Sequence, residues 1–156
     1  SMRWAPEARY GGDFTYSNGD LSGEGNNQLA AILCNLERFA DGGWPLVKGH
    51  ARNPERVKFY SGPLTPDGFI ADAWGTPLVV SLDGNMDERT VDPFYGLPQN
   101  YANPTNSLET IKVEEFTFCA VRASVAVWSY GPDKKYNPAQ KAGVGANKDN
   151  ILNWKP

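Results

Sequence analysis

Between Asn26 and Ala40 the apolar residues Leu29, Ile32, Leu33, Leu36 and Phe39 recur at i, i+3, i+4, i+7 and i+10, one face of a helix. This spacing predicts a helix over 26–40. Asn26 or Asn27 is suited to cap its first turn by accepting backbone N–H bonds, and Gly42-Gly43 supplies the positive φ that ends it. Further along, the period changes to two. The longest β-competent stretch runs from Ile111 to Tyr130, with Val121, Ala123, Val125 and Val127 on one face and Arg122, Ser124 and Ala126 on the other. Leu78 to Leu82 follows Pro77 and stops at the turn pair Asp83-Gly84, which predicts another strand.

Between these elements the chain is punctuated. Gly42-Gly43, Pro45, Asn53-Pro54, Gly62-Pro63, Pro66-Asp67-Gly68 and Gly75-Thr76-Pro77 leave room over 41–77 only for short extended pieces such as Val57 to Tyr60 and Phe69 to Ala71. Residues 92–107, rich in Pro and Asn, read as a long loop or insertion. Residues 3–10 read as the end of a longer helix, limited by Pro6. The order of helix, loops, then strands able to pair antiparallel is that of the α+β class. The chain holds 156 residues, enough for one domain with its own core, so 1–156 is expected to be a single globular domain. Ser1-Met2 reads as a remnant of cloning.

Composition narrows the function. Fifteen basic and eighteen acidic residues give a net charge of −3, and the basic residues are scattered, which disfavours nucleic acid and anionic bilayers as partners. No stretch reaches the roughly 18 apolar residues of a membrane span. Cys34 and Cys119 lack zinc-ligand spacing; an extracytoplasmic disulfide and two buried thiols both stay open.

Catalytic chemistry finds little to build on. His50 is the one histidine, with no Ser or Cys in local register for a nucleophile and base. Glu114 and Glu115 are adjacent, so on a strand they face opposite ways and cannot act as a carboxylate pair. The aromatic residues Trp4, Tyr10, Phe14, Tyr16, Phe59, Tyr60, Trp74, Phe94, Tyr95 and Tyr101 offer material for a sugar-binding platform, with core packing as the plainer use.

Oxygen ligands are better represented. Ser129-Tyr130-Gly131-Pro132-Asp133 leaves the last long strand, and the chain returns at Asp149-Asn150-Ile151-Leu152-Asn153-Trp154. Ser129, Asp133, Asp149 and Asn150 are hard oxygen ligands of the kind calcium takes, at the two ends of a loop over 134–148 with few apolar side chains to order it. Lys134, Lys135, Lys141 and Lys148 oppose a cation there. An Asx-turn at Asp133 is the alternative. Asp83, Asn85 and Asp87 alternate like the start of an EF-hand loop, a weaker candidate. Glu88 stands where that loop needs Gly, and Phe94 where it needs Glu.

Taken together, Asn53-Pro54, Asp72-Ala73-Trp74-Gly75-Thr76-Pro77-Leu78, Ser129-Tyr130-Gly131-Pro132-Asp133 and Asp149-Asn150-Ile151-Leu152-Asn153-Trp154 resemble, in order and spacing, the globular domain of type IV pilin-like proteins. The major pseudopilins of type II secretion are the nearest group. The resemblance departs at Ala73, where Pro is usual, and at Asn150, where Asp is usual. It implies a pilin-like α+β fold, an N-terminal helix packed on a small antiparallel sheet with long loops. It also implies a hydrophobic first half of that helix upstream of Arg3, and calcium on Ser129, Asp133, Asp149 and Asn150. The implied role is a non-enzymatic subunit of a type IV pilus or secretion pseudopilus. Its partners would be identical or related subunits and the assembly machinery. It would be held in the bacterial cell envelope through the missing helix, head outside the cytoplasm, or be extracellular in a pilus. The alternative from another class is a surface-exposed host- or glycan-binding module on a pilin scaffold.

Overall fold

A computed structural model of the chain describes residues 13–17, 24–46, 48–84, 86–96, 108–113, 116–135, 145 and 150–153. Among them are seven strands and two helices: β1 (Phe14–Ser17), β2 (Glu24–Gly25), α1 (Asn26–Leu33), α2 (Gly49–Arg52), β3 (Val79–Leu82), β4 (Leu108–Val113), β5 (Phe116–Val121), β6 (Val125–Ser129) and β7 (Ile151–Leu152). The class is α+β. The chain divides into two compact units, one of Tyr16–Leu78 and one of Ser1–Thr15 with Val79–Pro156, the boundary falling inside β1.

In the unit of Tyr16–Leu78, the second half of β1 pairs parallel with β2, Tyr16 opposite Glu24 and Ser17 opposite Gly25. Helix α1 begins where the apolar period begins but ends seven residues short of the expected Ala40. Its stop is Asn35, which takes a left-handed φ of 53°. The Leu36 amide then reaches back to the Ala31 carbonyl at 2.8 Å and the Asn35 amide to that of Ile32 at 3.3 Å. This is a Schellman closure, with Asn in the place glycine usually holds. The remaining carbonyls of the last turn are also satisfied. Asn53, buried, donates Nδ2 to the Ile32 carbonyl at 3.0 Å and to that of Val57 at 2.6 Å. The Phe59 amide donates to Leu33 at 2.7 Å. Phe39 is buried as the apolar pattern requires, but from a turn closed by Gly43 rather than from the helix.

The expected Asn cap is also different. Gly25 holds the N-cap position without a side-chain bond. Asn26, fully buried, donates Nδ2 to the carbonyls of Ile70 and Leu78, both at 2.8 Å, and accepts the Ile70 amide at 2.9 Å. Its amide therefore holds both sides of the turn at 70–78. Asp72 closes that turn by accepting the amides of Trp74 and Thr76, leaving Trp74 exposed.

In the other unit, β3 pairs antiparallel with β6 (Val79 opposite Trp128, Leu82 opposite Val125), and β6 with β7. The hairpin β4–β5 forms a separate two-stranded sheet, Leu108 opposite Val121. The single long β stretch expected over 111–130 is thus three strands. A bend at Arg122–Ser124 interrupts the alternation. Beyond it the buried face holds Ala126 and Trp128, while Val125 is exposed, the reverse of the face read from the valines.

The segment 92–107, expected to be a long loop, is not loop throughout. Its first residues are core: Phe94 and Tyr95 are fully buried and pack on Trp128 with ring centroids 5.6 and 5.2 Å away, and Tyr130 closes the cluster at 5.4 Å. Residues 97–107 lie outside the described residues. Such aromatic pairs each add about 0.5–1.5 kcal/mol beyond the area they bury.

Candidate functional site

The end of β6 and the returning tail meet by backbone pairing. Trp128 lies opposite Leu152 and Ser129 opposite Ile151. Asn153 extends the pairing: its amide donates to the Val127 carbonyl at 3.0 Å, and its Oδ1 accepts the Val127 amide at 2.8 Å. One residue before Ile151 stands Asn150, at the level where β6 turns off into Tyr130 and Gly131.

The turn itself is built by its side chains. The buried Ser129 hydroxyl accepts the Gly131 amide at 3.0 Å, Gly131 takes a φ of 78°, and Asp133 Oδ1 accepts the Lys135 amide at 2.9 Å in an Asx-turn. Asn150 Nδ2 donates to the Tyr95 hydroxyl at 3.2 Å, while its Oδ1 is buried without a hydrogen-bond partner among the described residues. A buried carbonyl oxygen left in this way costs roughly 1–3 kcal/mol. A hard cation would use it. Ser129 and Asn150 are thus brought to the same end of the sheet, with Asp133 in the next turn. Asp149 lies outside the described residues. Ser129, Asp133 and Asn150 fit a calcium-type donor set in chemistry, since each offers oxygen.

Beneath this end lies the carboxylate that pattern reading missed. Asp92, inside the expected loop, is fully buried. It accepts Ser81 Oγ at 2.7 Å and Trp128 Nε1 at 2.9 Å through Oδ2, and the amides of Phe94 and Tyr95 at 2.9 and 3.1 Å through Oδ1. Burial pushes its pKa up, against the bonds from Ser81, Tyr95, Trp128 and Phe94 that favour the ion. Burial likewise raises the Tyr95 phenol, opposed by the Asn150 bond. Thr15 Oγ1 extends the network to Ser81 at 2.8 Å. An Asp-Pro pair ahead of two aromatics was the available signal: a short acceptor fixing its own following amides, with rings to bury.

The other sequence candidates fall as follows. Asp83 accepts the amides of Asp87 and Glu88 at 3.3 and 2.8 Å, and Asp87 that of Arg89 at 3.0 Å, so both carboxylates organise their own turn. Asn85 lies outside the described residues. Among the described residues no three His, Cys, Asp or Glu side chains cluster to hold a metal ion. His50 is in the one-turn helix α2. Cys34 and Cys119 are free thiols, one in each unit. Of the aromatic set, Tyr16, Phe94 and Tyr95 are buried, which removes them from any sugar platform; Phe14, Phe59 and Trp74 are exposed. Trp4, Tyr10 and Tyr101 lie outside the described residues, as do Glu114 and Glu115 and the tail's Trp154.

Compared with protein-family models, with curated proteins and with solved structures, the chain gives no match in any of the three.

Proposed function

We propose that the chain is a structural subunit of a pilin-like filament, a type IV pilus or secretion pseudopilus, acting by assembly rather than catalysis. The observation that carries this proposal is the closed tail: β7 seated on β6, with the backbone amide and side-chain oxygen of Asn153 engaged on Val127. A long strand edge left open invites uncontrolled pairing with other chains, and ending the sheet on the two-residue β7 blunts that hazard while other surfaces stay available for ordered stacking. The head then behaves as a preformed block. Its partners are copies of itself or related subunits, its setting the bacterial cell envelope, and its pilin-like fold the finer form of the α+β class described above.

Calcium belongs to the same proposal. Ser129, Asp133, Asp149 and Asn150 would hold it, the orphaned Asn150 Oδ1 being the observation in its favour. When bound, the ion supplies charge that cross-links the two ends of the 134–148 segment.

The test has two parts. The coding sequence ahead of Arg3 should specify a short basic leader and about 20 apolar residues. Electron microscopy of filaments sheared from cells producing the full gene product should show labelling by an antibody against this domain. A gene with no such apolar segment, or cells whose sheared filaments never carry the domain, would end the filament proposal.

A further inference from the structure

The unit that contains Val79–Pro156 carries a second polar site, away from the closing tail. Thr90 and Val121 form an antiparallel bridge, each amide donating to the other's carbonyl at 2.8 Å. Arg89 and Arg122 flank this bridge, one on each chain segment, just where the backbone turns away at 122–124, so the bridge brings two like charges to the same place. One carboxylate offsets them. Glu109 Oε2 accepts Arg89 Nε at 2.9 Å, and its Oε1 lies 3.6 Å from Arg122 Nε. Two positive charges thus share one negative charge, through a single nitrogen of each guanidinium. Among the described residues nothing else pairs with the rest of either five-donor fork, which can serve another acceptor.

These arginines line a cavity of about 380 Å³, open to solvent, with Glu88, Ala123 and Ser124; Glu88, Arg122 and Ser124 are exposed. Its walls are fixed. The Ala123 carbonyl accepts Thr90 Oγ1 at 2.7 Å, the Ala123 amide donates to Val121, and the Ser124 carbonyl accepts the Asp83 amide at 2.9 Å. Glu88 is held at a left-handed φ of 64°, a conformation that costs a non-glycine residue energy and marks sites worth a functional reading.

We infer that this cavity binds a small hydroxylated carboxylate of the sugar-acid type, its carboxylate on the Arg89 and Arg122 forks and its hydroxyls donating to Glu88 and Ser124. Paired guanidinium forks match a carboxylate in geometry as well as charge. Glu88 cancels the remaining positive charge at the wall, so a bare anion gains little here. A ligand that also donates hydrogen bonds satisfies both signs. The cavity is small and open to solvent, so it would hold one edge of a single sugar ring rather than enclose a chain. The site is independent of the filament proposal, because its residues lie apart from the closing tail and need no assembly to form.

The experiment is a titration followed by nitrogen-15 NMR of the arginine Nε–H groups, at constant ionic strength, with galacturonate, galactose and inorganic phosphate. Galacturonate should move the Arg89 and Arg122 signals together and saturably at millimolar concentration, with galactose moving neither. Arg122→Gln, at a largely exposed side chain, should keep the fold and weaken binding about tenfold, the scale of a lost charged hydrogen bond. Glu88→Gln should weaken galacturonate binding and strengthen phosphate binding. No saturable shift with galacturonate would overturn the inference. Equal response to galactose would remove the carboxylate from it, and tighter binding of phosphate than of galacturonate would remove the sugar acid.

Discussion

Trp128 donates its indole N–H to Asp92 across 36 positions of sequence, and both side chains are fully buried. The pair ties β6 to the turn at 92–95, and Ser81 brings β3 to the same carboxylate. Replacing Asp92 with Ala leaves four donors without their acceptor. We expect a loss of about 3 kcal/mol or more, given roughly 1–3 kcal/mol for each buried group stranded. Asp92→Asn keeps one acceptor oxygen and should cost less. Chemical denaturation of the two variants checks the order; equal stability of Asp92→Ala and the parent would dissolve the hub.

Gly49 and Gly75 should respond differently to Ala. A Cβ at 49 would overlap the Ala31 carbonyl oxygen and lie 2.8 Å from the Leu36 amide nitrogen, both backbone atoms of the α1 closure. At Gly75, with φ at 84°, nothing lies within 4 Å and only the backbone conformation is penalised. Gly49→Ala is expected to cost about 3 kcal/mol by overpacking. Gly75→Ala is expected to cost about 1 kcal/mol. A thermal melt in which Gly75→Ala is the worse variant would contradict the packing at the helix end.

Calcium should stabilise the parent chain and be released by chelator. A ligand that binds only the folded state adds about 2.7 kcal/mol when present at a hundredfold excess over its Kd. Asn150→Asp adds a negative charge and should strengthen this response, and Asn150→Ala should abolish it. Calorimetry with and without millimolar calcium decides, and an unmoved melting temperature in the parent removes the ion.

Burial pushes the Cys119 thiol up from 9.0 to about 11, its bond with Thr110 working the other way. Between those values the folded chain holds a proton that the unfolded chain has released, so stability is complete below about pH 9 and falls as pH rises toward about 11. Burial also raises the Cys34 thiol, against the pull of Lys58. Alkaline titration of the melting temperature should show this fall, shallower in Cys119→Ala. Thiol labelling of the native chain should reach half-buried Cys34 before fully buried Cys119.

What could be read from pattern follows what was local. The start of α1, the strand at 79–82 and the return of the tail were legible because periodicity, turn pairs and flanking residues all point one way. The end of α1 was not, because the apolar face continues to Phe39 while Asn35 stops the helix by its own backbone conformation, which hydropathy does not register. The buried face of β6 was hidden for a related reason: a bend at 122–124 resets the alternation, so a correct period gave the wrong side. Asp92 escaped notice because a Pro- and Asn-rich segment looks like loop until its partners arrive from Ser81 and Trp128. Of the candidate calcium ligands, Ser129 and Asn150 are drawn together by strand pairing, a long-range event that local spacing only hints at. The meeting of Arg89 and Arg122 at Glu109 arises in the same way, from the Thr90–Val121 bridge and the β4–β5 pairing.

The division at β1 has a consequence for biogenesis. Tyr16–Leu78 is one uninterrupted segment, whereas the other unit needs Asp13 and Thr15 to wait for Gly84, Val91 and Ser81, up to 78 positions later. Most partners of the inner segment lie within it, so it is expected to order early as the chain leaves the ribosome, because nearby contacts lose less loop entropy than distant ones. The other unit cannot close until Val91 has emerged, because the Asp13 carboxylate waits for that amide, so residues 13 to 15 are the first of its strands to be made and among the last to be satisfied.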